Sequence, residues 1–330
     1  RLTLGKGQRR YQTDVEAYQL YLRARTLVVL NGPSNVEAIR LFEQVIARDP
    51  SFAPAHAGLA DAYAAMSWST IGDASMSLEE GLTGMRQAAI RALELDPLLA
   101  EAHAAIGVTY ARELEWENAA KSFERAIELN PNLPQIPVSY SHSLMETGQT
   151  EKALQLLSAA MISDPFSLQV RRSLATAQFV AGHYDEAIAN WRQILAADPD
   201  YPNANQVLAR ALTFAGRPVD AIAVWENLRD RPANEPRPGL GWERWLTPAY
   251  VMAGRRKDVD RLIAAHKNEH PYRQALIYAA LGDKNRTFAA LNRAVDLVPH
   301  RVAFTLVCPE MRLLRGDPRL DALRKRLNLR

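Results

Sequence analysis

Small and large apolar positions recur in phase every 34 residues along this 330-residue chain. In the window 100–133, Ile106, Gly107 and Tyr110 mark one helical face and Ala119, Phe123 and Ala126 a second, with Pro131 behind them. The window 134–167 keeps Ala153, Leu157, Ala160 and Pro165, and 168–201 keeps Ala187, Trp191, Ile194 and Pro199. The window 202–235 keeps Leu208, Ala209, Leu212, Ala221 and Trp225, with Pro232 one place early, and upstream 19–52 keeps Ala38, Phe42 and Pro50. Spacings of three and four within each half predict two amphipathic helices per window.

The punctuation agrees. Asp49-Pro50, Asp96-Pro97, Asn130-Pro131, Asp164-Pro165 and Asp198-Pro199 lie 47, 34, 34 and 34 residues apart. The residue before proline is pushed out of the α region, so each pair ends a second helix. Gly148, Gly182 and Gly216 fall where first helices stop, as left-handed C-terminal glycines do. Pro137 predicts a delayed or bent helix start. Gly107 and Ala119 are expected to face each other across one hairpin, where two backbones approach closely.

Large–small–aromatic, then Ala, aromatic, Ala and Pro at this period resembles the tetratricopeptide (TPR) repeat, with His103 where that pattern prefers Trp. The resemblance implies an all-α, right-handed solenoid of about eight helical hairpins and one elongated domain. Residues 1–12 read as a linker and 13–330 as the array. Repeats fall near 19–52, 53–99, 100–133, 134–167, 168–201, 202–239, 240–267 and 268–301, with a cap over 302–330. The repeat 53–99 carries an insertion at 66–84, expected as a loop or short helix between its two helices. The Pro/Gly-rich stretch 229–241 reads as a long loop. In the cap, Asp317 suits an N-cap and Pro318 the first helical position, ahead of a stripe of Leu320, Leu323 and Leu327.

Composition narrows the function classes. Lone Cys308 forms no internal disulfide and reads as a buried small side chain of a cytoplasmic protein. Residues 1–10 and 310–330 each carry a net charge of +4, leaving the body between them acidic. A nucleic-acid binder would carry a basic stripe along its folded surface, so direct nucleic-acid binding is not expected. No apolar run reaches the ~18 residues that span a bilayer. Phosphate-binding loops, HExxH, CxxC and GxSxG are missing, so no enzyme activity and no cofactor or metal is expected. His56 and His103 occupy the fourth place of their repeats and read as packing residues. His266 and His270, four apart, lack further metal-ligand chemistry nearby.

A narrower resemblance covers the ends. EAYQLYLRAR (16–25), IRLFEQVIARDPSFAPAHAGLADAY (39–63) and LLRGDPRLDALRKRL (313–327) resemble the opening and close of a TPR domain found at the C-terminus of bacterial signalling proteins. Those proteins begin with winged-helix, serine/threonine kinase or adenylate cyclase domains. The resemblance implies a regulatory or interaction domain cut from a larger protein, in keeping with a first residue of Arg rather than Met.

The expected activity is protein or peptide binding. Positions 2, 5, 9 and 12 of each first helix lie roughly 130° from the packing stripe. In the middle repeats these include Gln135, Val138, His142 and Met145, then Gln169, Arg172, Thr176 and Phe179, then Asn203, Gln206 and Arg210. The Lys and Asn pair with which chaperone-binding TPR domains grip a terminal carboxylate is absent. Arg172 and Arg210 beside Val138, Met145 and Phe179 suit an extended peptide with an acidic group and an apolar anchor, since guanidinium groups pair with carboxylates. The alternatives are a small-molecule or short-peptide sensor roofed by the insertion, with Trp68 and Met76, and a structural dimerisation or spacer domain.

Overall fold

The structure, a computed structural model, describes residues 11, 13–30, 34–69, 77–201, 203–229, 242–265 and 269–329. The described residues are almost all helical and include no strand, in the hairpin order the period predicts. They divide into two compact units, Arg1–Ser143 and Leu144–Arg330.

The first unit holds α1 (Val15–Leu30), α2 (Ser34–Arg48), α3 (Ala53–Ser69), α4 (Leu78–Leu95), α5 (Ala100–Arg112), α6 (Trp116–Leu129) and most of α7 (Gln135–Glu146). Its main core combines Tyr21 of α1, Phe42 of α2, Leu59 of α3, Met85 of α4 and Ile106 of α5. Tyr11 precedes α1 and is itself docked: its ring meets Phe52 edge-on at 5.7 Å and its hydroxyl donates to Asp96. The rest of the expected linker, 1–10 and residue 12, lies outside the described residues.

The second unit holds α8 (Thr150–Ser163), α9 (Leu168–Ala181), α10 (Tyr184–Ala197), α11 (Ala204–Phe214) and α12 (Pro218–Arg229). A 3-10 turn (Trp242–Leu246) leads into α13 (Thr247–Met252), α14 (Arg256–Ala265), α15 (Pro271–Ala280) and α16 (Lys284–Ala294). Then come α17 (Pro299–Val307), a second 3-10 turn (Pro309–Leu314) and α18 (Pro318–Arg326).

The acid-or-amide–proline pairs work by two devices. Asp96, Asn130, Asp164 and Asp198 are C-caps at φ near −140° to −150°, outside the helical region as a following proline requires. In addition, the side chains of Asp49, Asp96, Asn130 and Asp198 accept the amide two residues on, at 3.1, 2.9, 3.2 and 3.1 Å. This side-chain turn redirects the chain into the next first helix. The fourth residue of that helix completes the joint. His56 Nε2 donates to Pro50 O at 3.1 Å, His103 Nε2 to Pro97 O at 2.9 Å, and an Arg171 guanidinium N–H to Pro165 O at 2.9 Å. Both histidines are therefore structural, as the repeat register implied.

Gly148, Gly182 and Gly216 adopt φ of 78°, 94° and 77°, the left-handed region expected where first helices stop. Gly182 also receives Arg312, whose guanidinium would lie 2.9 Å from a Cβ built there. Asp317 N-caps α18 by accepting the Arg319 amide at 3.1 Å, with Pro318 opening the helix. Leu323 and Leu327 are buried, and Arg319 stacks over Phe288 of α16 at 4.3 Å, so α18 covers α16.

Three local expectations need correction. At Gly107 the atoms closest to a Cβ are not those of Ala119 but of the Phe123 ring, at 3.1 Å. The close approach thus makes room for an aromatic ring rather than for a second backbone. The insertion does not form a loop over 66–84. Residues 66–69 extend α3 and 78–84 open α4, where Ser77 and Glu80 form a reciprocal capping box. Residues 70–76 and the side chain of Trp68 lie outside the described residues. Pro137 causes no delayed start, because it sits in the first turn of α7, where its missing N–H has no helical partner to lose. The expected loop at 229–241 is outside the described residues from 230 onward, as is His266.

Candidate functional site

The expected groove residues fall in both units, and the two sets are described separately. In the first unit, Val138 is buried, Gln135 and His142 are half-buried, and the Gln135 side-chain oxygen is buried without a hydrogen bond among the described residues. In the second unit, Met145 and Phe179 are fully buried, Gln169, Arg172, Thr176 and Gln206 are half-buried, and Asn203 is exposed. Val138, Met145 and Phe179 therefore present no open apolar surface. A first helix is flanked on two sides by other helices, which widens its buried stripe beyond the positions its own hairpin needs. On α5, for example, Ala104, Ile106, Gly107, Thr109 and Ala111 are all buried.

Arg210 departs most from expectation. It is 8% exposed rather than a free guanidinium. Its Nε donates to Glu310 Oε1 at 2.8 Å, and its guanidinium carbon lies 4.8 Å from the Phe179 ring and 4.2 Å from the Trp245 ring. Four elements meet at this one side chain: α9, α11 and both 3-10 turns. Desolvation, the largest single influence, lowers the Arg210 pKa, but the Glu310 charge and hydrogen bond, with Cys308 and Tyr272, together outweigh it and hold the group above the usual arginine range. Burial pushes the neighbouring Cys308 thiol up to about 12, with Glu310 adding and Arg210 opposing. Cys308 is thus the buried small side chain that its sequence context suggested.

Around this centre the second unit gathers further cations. Arg312 lies over Tyr184 at 5.6 Å, and Arg301 over Tyr272 at 6.0 Å. Arg273 pairs with Glu269 at 3.4 Å. Burial, with Arg273 as the next cause, lowers the Arg244 pKa to about 10 against the opposing pull of Glu269 and Tyr272. His270 caps α15, its Nδ1 accepting the Tyr272 amide at 3.2 Å, which accounts for the residue without a metal.

Arg172 has the opposite character to Arg210. It is half-buried on α9, and no hydrogen bond or ion pair holds its guanidinium among the described residues. Its neighbour Arg171 is fully engaged, with Pro165, Asn190 and Gln193. Gln169 and Gln206 likewise have no side-chain hydrogen bond among the described residues. The structure therefore brings Phe179 and Arg210 together as a closed cluster and leaves Arg172, Gln169 and Gln206 available. Glu310, Trp245 and Arg312 escaped the sequence reading because they lie outside the 34-residue period. The available signal was a single acid between apolar residues in the stretch 308–314, CPEMRLL.

Residues 105–204 match the family model of the cytochrome c-type biogenesis protein H TPR domain, and 179–238 match a tetratricopeptide repeat model. The Cut9 and Hcn1 hetero-tetramer of APC/C has a chain with TM-score 0.58 at 14% identity, covering 87% of this chain and 55% of that one. Human IFIT1, solved as a dimer with PPP-AAAA, gives TM-score 0.55 at 16% identity, covering 85% of this chain and 72% of that one. PilF of Pseudomonas aeruginosa aligns at 17% identity over 74% of this chain and 95% of that one, with TM-score 0.41. The chain spans about half the length of the Cut9–Hcn1 chain it matches. No curated protein matches it. The period, the family models over 105–238 and the fold shared with the Cut9–Hcn1 and IFIT1 chains together support a tetratricopeptide repeat protein, a scaffold type that binds other proteins.

Proposed function

We propose that this chain is a protein- or peptide-binding scaffold acting as the regulatory or interaction domain of a larger bacterial signalling protein of the cytoplasm. The observation that carries the binding reading is Arg172. A guanidinium held half-buried on a first helix, with no acceptor among the described residues, is arranged for an external one, and carboxylates are its best geometric match. Gln169 and Gln206 offer amide donors and acceptors of the same availability. The partner is accordingly an extended peptide with an acidic group.

The signalling role is supported by the resemblance of 16–25, 39–63 and 313–327 to signalling-protein TPR domains. Its expected consequence is an effector domain encoded immediately upstream of Arg1, and an upstream region without winged-helix, kinase or cyclase sequence contradicts it. No described helix is long and apolar enough to cross a membrane.

The binding reading is tested with an array of synthetic peptides carrying one Leu or Phe and one Glu at varied spacing, each paired with its Gln counterpart. Labelled full chain is expected to select Glu peptides over their Gln partners. Equal retention of both members of every pair would sink the acidic-partner reading.

A further inference from the structure

The chain contains its own copy of the chemistry assigned to the partner. Glu310 supplies a carboxylate to Arg210, at position 9 of its repeat, and Met311 and Leu314 beside it are 2% and 0% exposed. Arg312 of the same turn reaches Tyr184 and the glycine that ends α9. The acid of this turn thus lies on α11 and its cation at the end of α9, helices whose outward positions the sequence assigned to a ligand, while its apolar residues are buried beside them.

Its attachment is incomplete. Glu310 Oε1 is bonded, but Oε2 is buried with no hydrogen bond among the described residues. A half-satisfied buried carboxylate is costly, and an ion pair made through one oxygen gives up the second bond that a two-oxygen pairing would add. Both ends of the turn are non-helical joints. Cys308 is extended at φ −70° and ψ 151°, Arg315 is extended at φ −59° and ψ 134°, and Gly316 is left-handed at φ 76°. The 3-10 geometry between them is itself a poorer hydrogen-bonding arrangement than an α-helix.

We propose that residues 308–315 are an internal ligand, seated on Arg210 and displaced when a peptide with a carboxylate and an apolar side chain in similar spacing binds the second unit. This rests on the scaffold reading above. Release rehydrates Glu310, frees the Arg210 guanidinium and exposes Cys308. Because the internal segment is tethered, it competes at high effective concentration, and an external peptide gains access when it is weakened.

Cys308, the chain's one cysteine, reports release directly. In the wild-type full chain, its labelling by a thiol-disulfide reagent is measured at low denaturant. Labelling nearly independent of denaturant indicates local release. Labelling that follows the denaturant dependence of global unfolding shows a permanent structural turn and overturns the proposal. The second measurement uses Glu310→Gln, checked for helicity by circular dichroism, and a fluorescent peptide of residues 309–315. Expected are at least tenfold faster Cys308 labelling, at least tenfold tighter peptide binding than to wild type, and loss of that binding when Arg210→Ala is added. A helical Glu310→Gln chain that binds the peptide no better than wild type contradicts the proposal. If that variant fails to fold, the wild-type denaturant dependence decides alone. Neither readout involves Arg172, so failure here leaves the scaffold reading standing, and failure of the Glu/Gln array leaves this result interpretable.

Discussion

Arg210 Nε donates to Glu310 Oε1 at 2.8 Å across 100 residues of sequence, with the Phe179 and Trp245 rings on the same guanidinium. A charge so placed belongs to the fold of the second unit. Arg210→Ala removes the ion pair and two ring contacts. Rehydration of a released Glu310 limits the loss to about 1–3 kcal/mol. Arg172→Ala, which breaks no hydrogen bond or ion pair among the described residues, changes stability by no more than about 0.5 kcal/mol. Urea melts of the two variants should separate them, and equal midpoints would contradict the placement of Arg210.

Ala119 is fully buried in a cluster with Ala111 and Phe123. Ala119→Leu adds volume where none is free and should cost about 1–3 kcal/mol. An unchanged denaturation midpoint would argue against the packing of α5 on α6.

Asp61 of α3 titrates unusually. Desolvation raises its carboxyl pKa to about 7, Glu101 adds to the rise and Arg25 opposes it. Between the usual aspartate value of 3.8 and about 7 the native state holds a proton that the unfolded state has lost. Stability therefore falls as pH rises through that window and levels off above it. Asp61→Asn should flatten this slope and gain about 1–3 kcal/mol over wild type at pH 8, with little gain at pH 4. Thermal melts across that range check the sign, and a wild-type stability that climbs from pH 5 to 7 by the Asp61-dependent part would refute it.

His103 tests the joint between repeats. Its Nε2 is the donor to Pro97 O, so His103→Phe keeps the ring but leaves that carbonyl to water, at a cost of about 1 kcal/mol. A melt indistinguishable from wild type would show that the joint depends on the Asp96 turn alone.

What was legible in the sequence was what repeats. Gly148, Gly182 and Gly216 had to be left-handed because each ends a helix at the same phase, and Asp317 had to cap α18 because Pro318 follows it. Side-chain volume in phase likewise gave the buried Ala119, Phe123 and Ala126. The period says nothing about contacts made once, between residues in different registers. Arg210 looked like a surface guanidinium because its repeat position is normally outward, and only the fold brings Glu310 to it. The stretch 66–84 looked like a loop because Ser, Gly and Met break the apolar pattern, yet the Ser77–Glu80 capping box starts α4 inside it. Gly107 was matched to a small residue when its actual neighbour is the Phe123 ring, since a pattern of small residues does not say what fills the space they leave.

The most direct test of the scaffold account is a double-mutant cycle on the best Glu peptide from the array, measured by titration calorimetry with the full chain. Four affinities are needed: wild type and Arg172→Ala, each with the Glu peptide and its Gln counterpart. The account predicts that either change alone weakens binding about tenfold, as expected for a charge-assisted contact, and that the two together weaken it no further. Losses that simply add, or an Arg172→Ala chain that still prefers the Glu peptide as strongly as wild type, would contradict it.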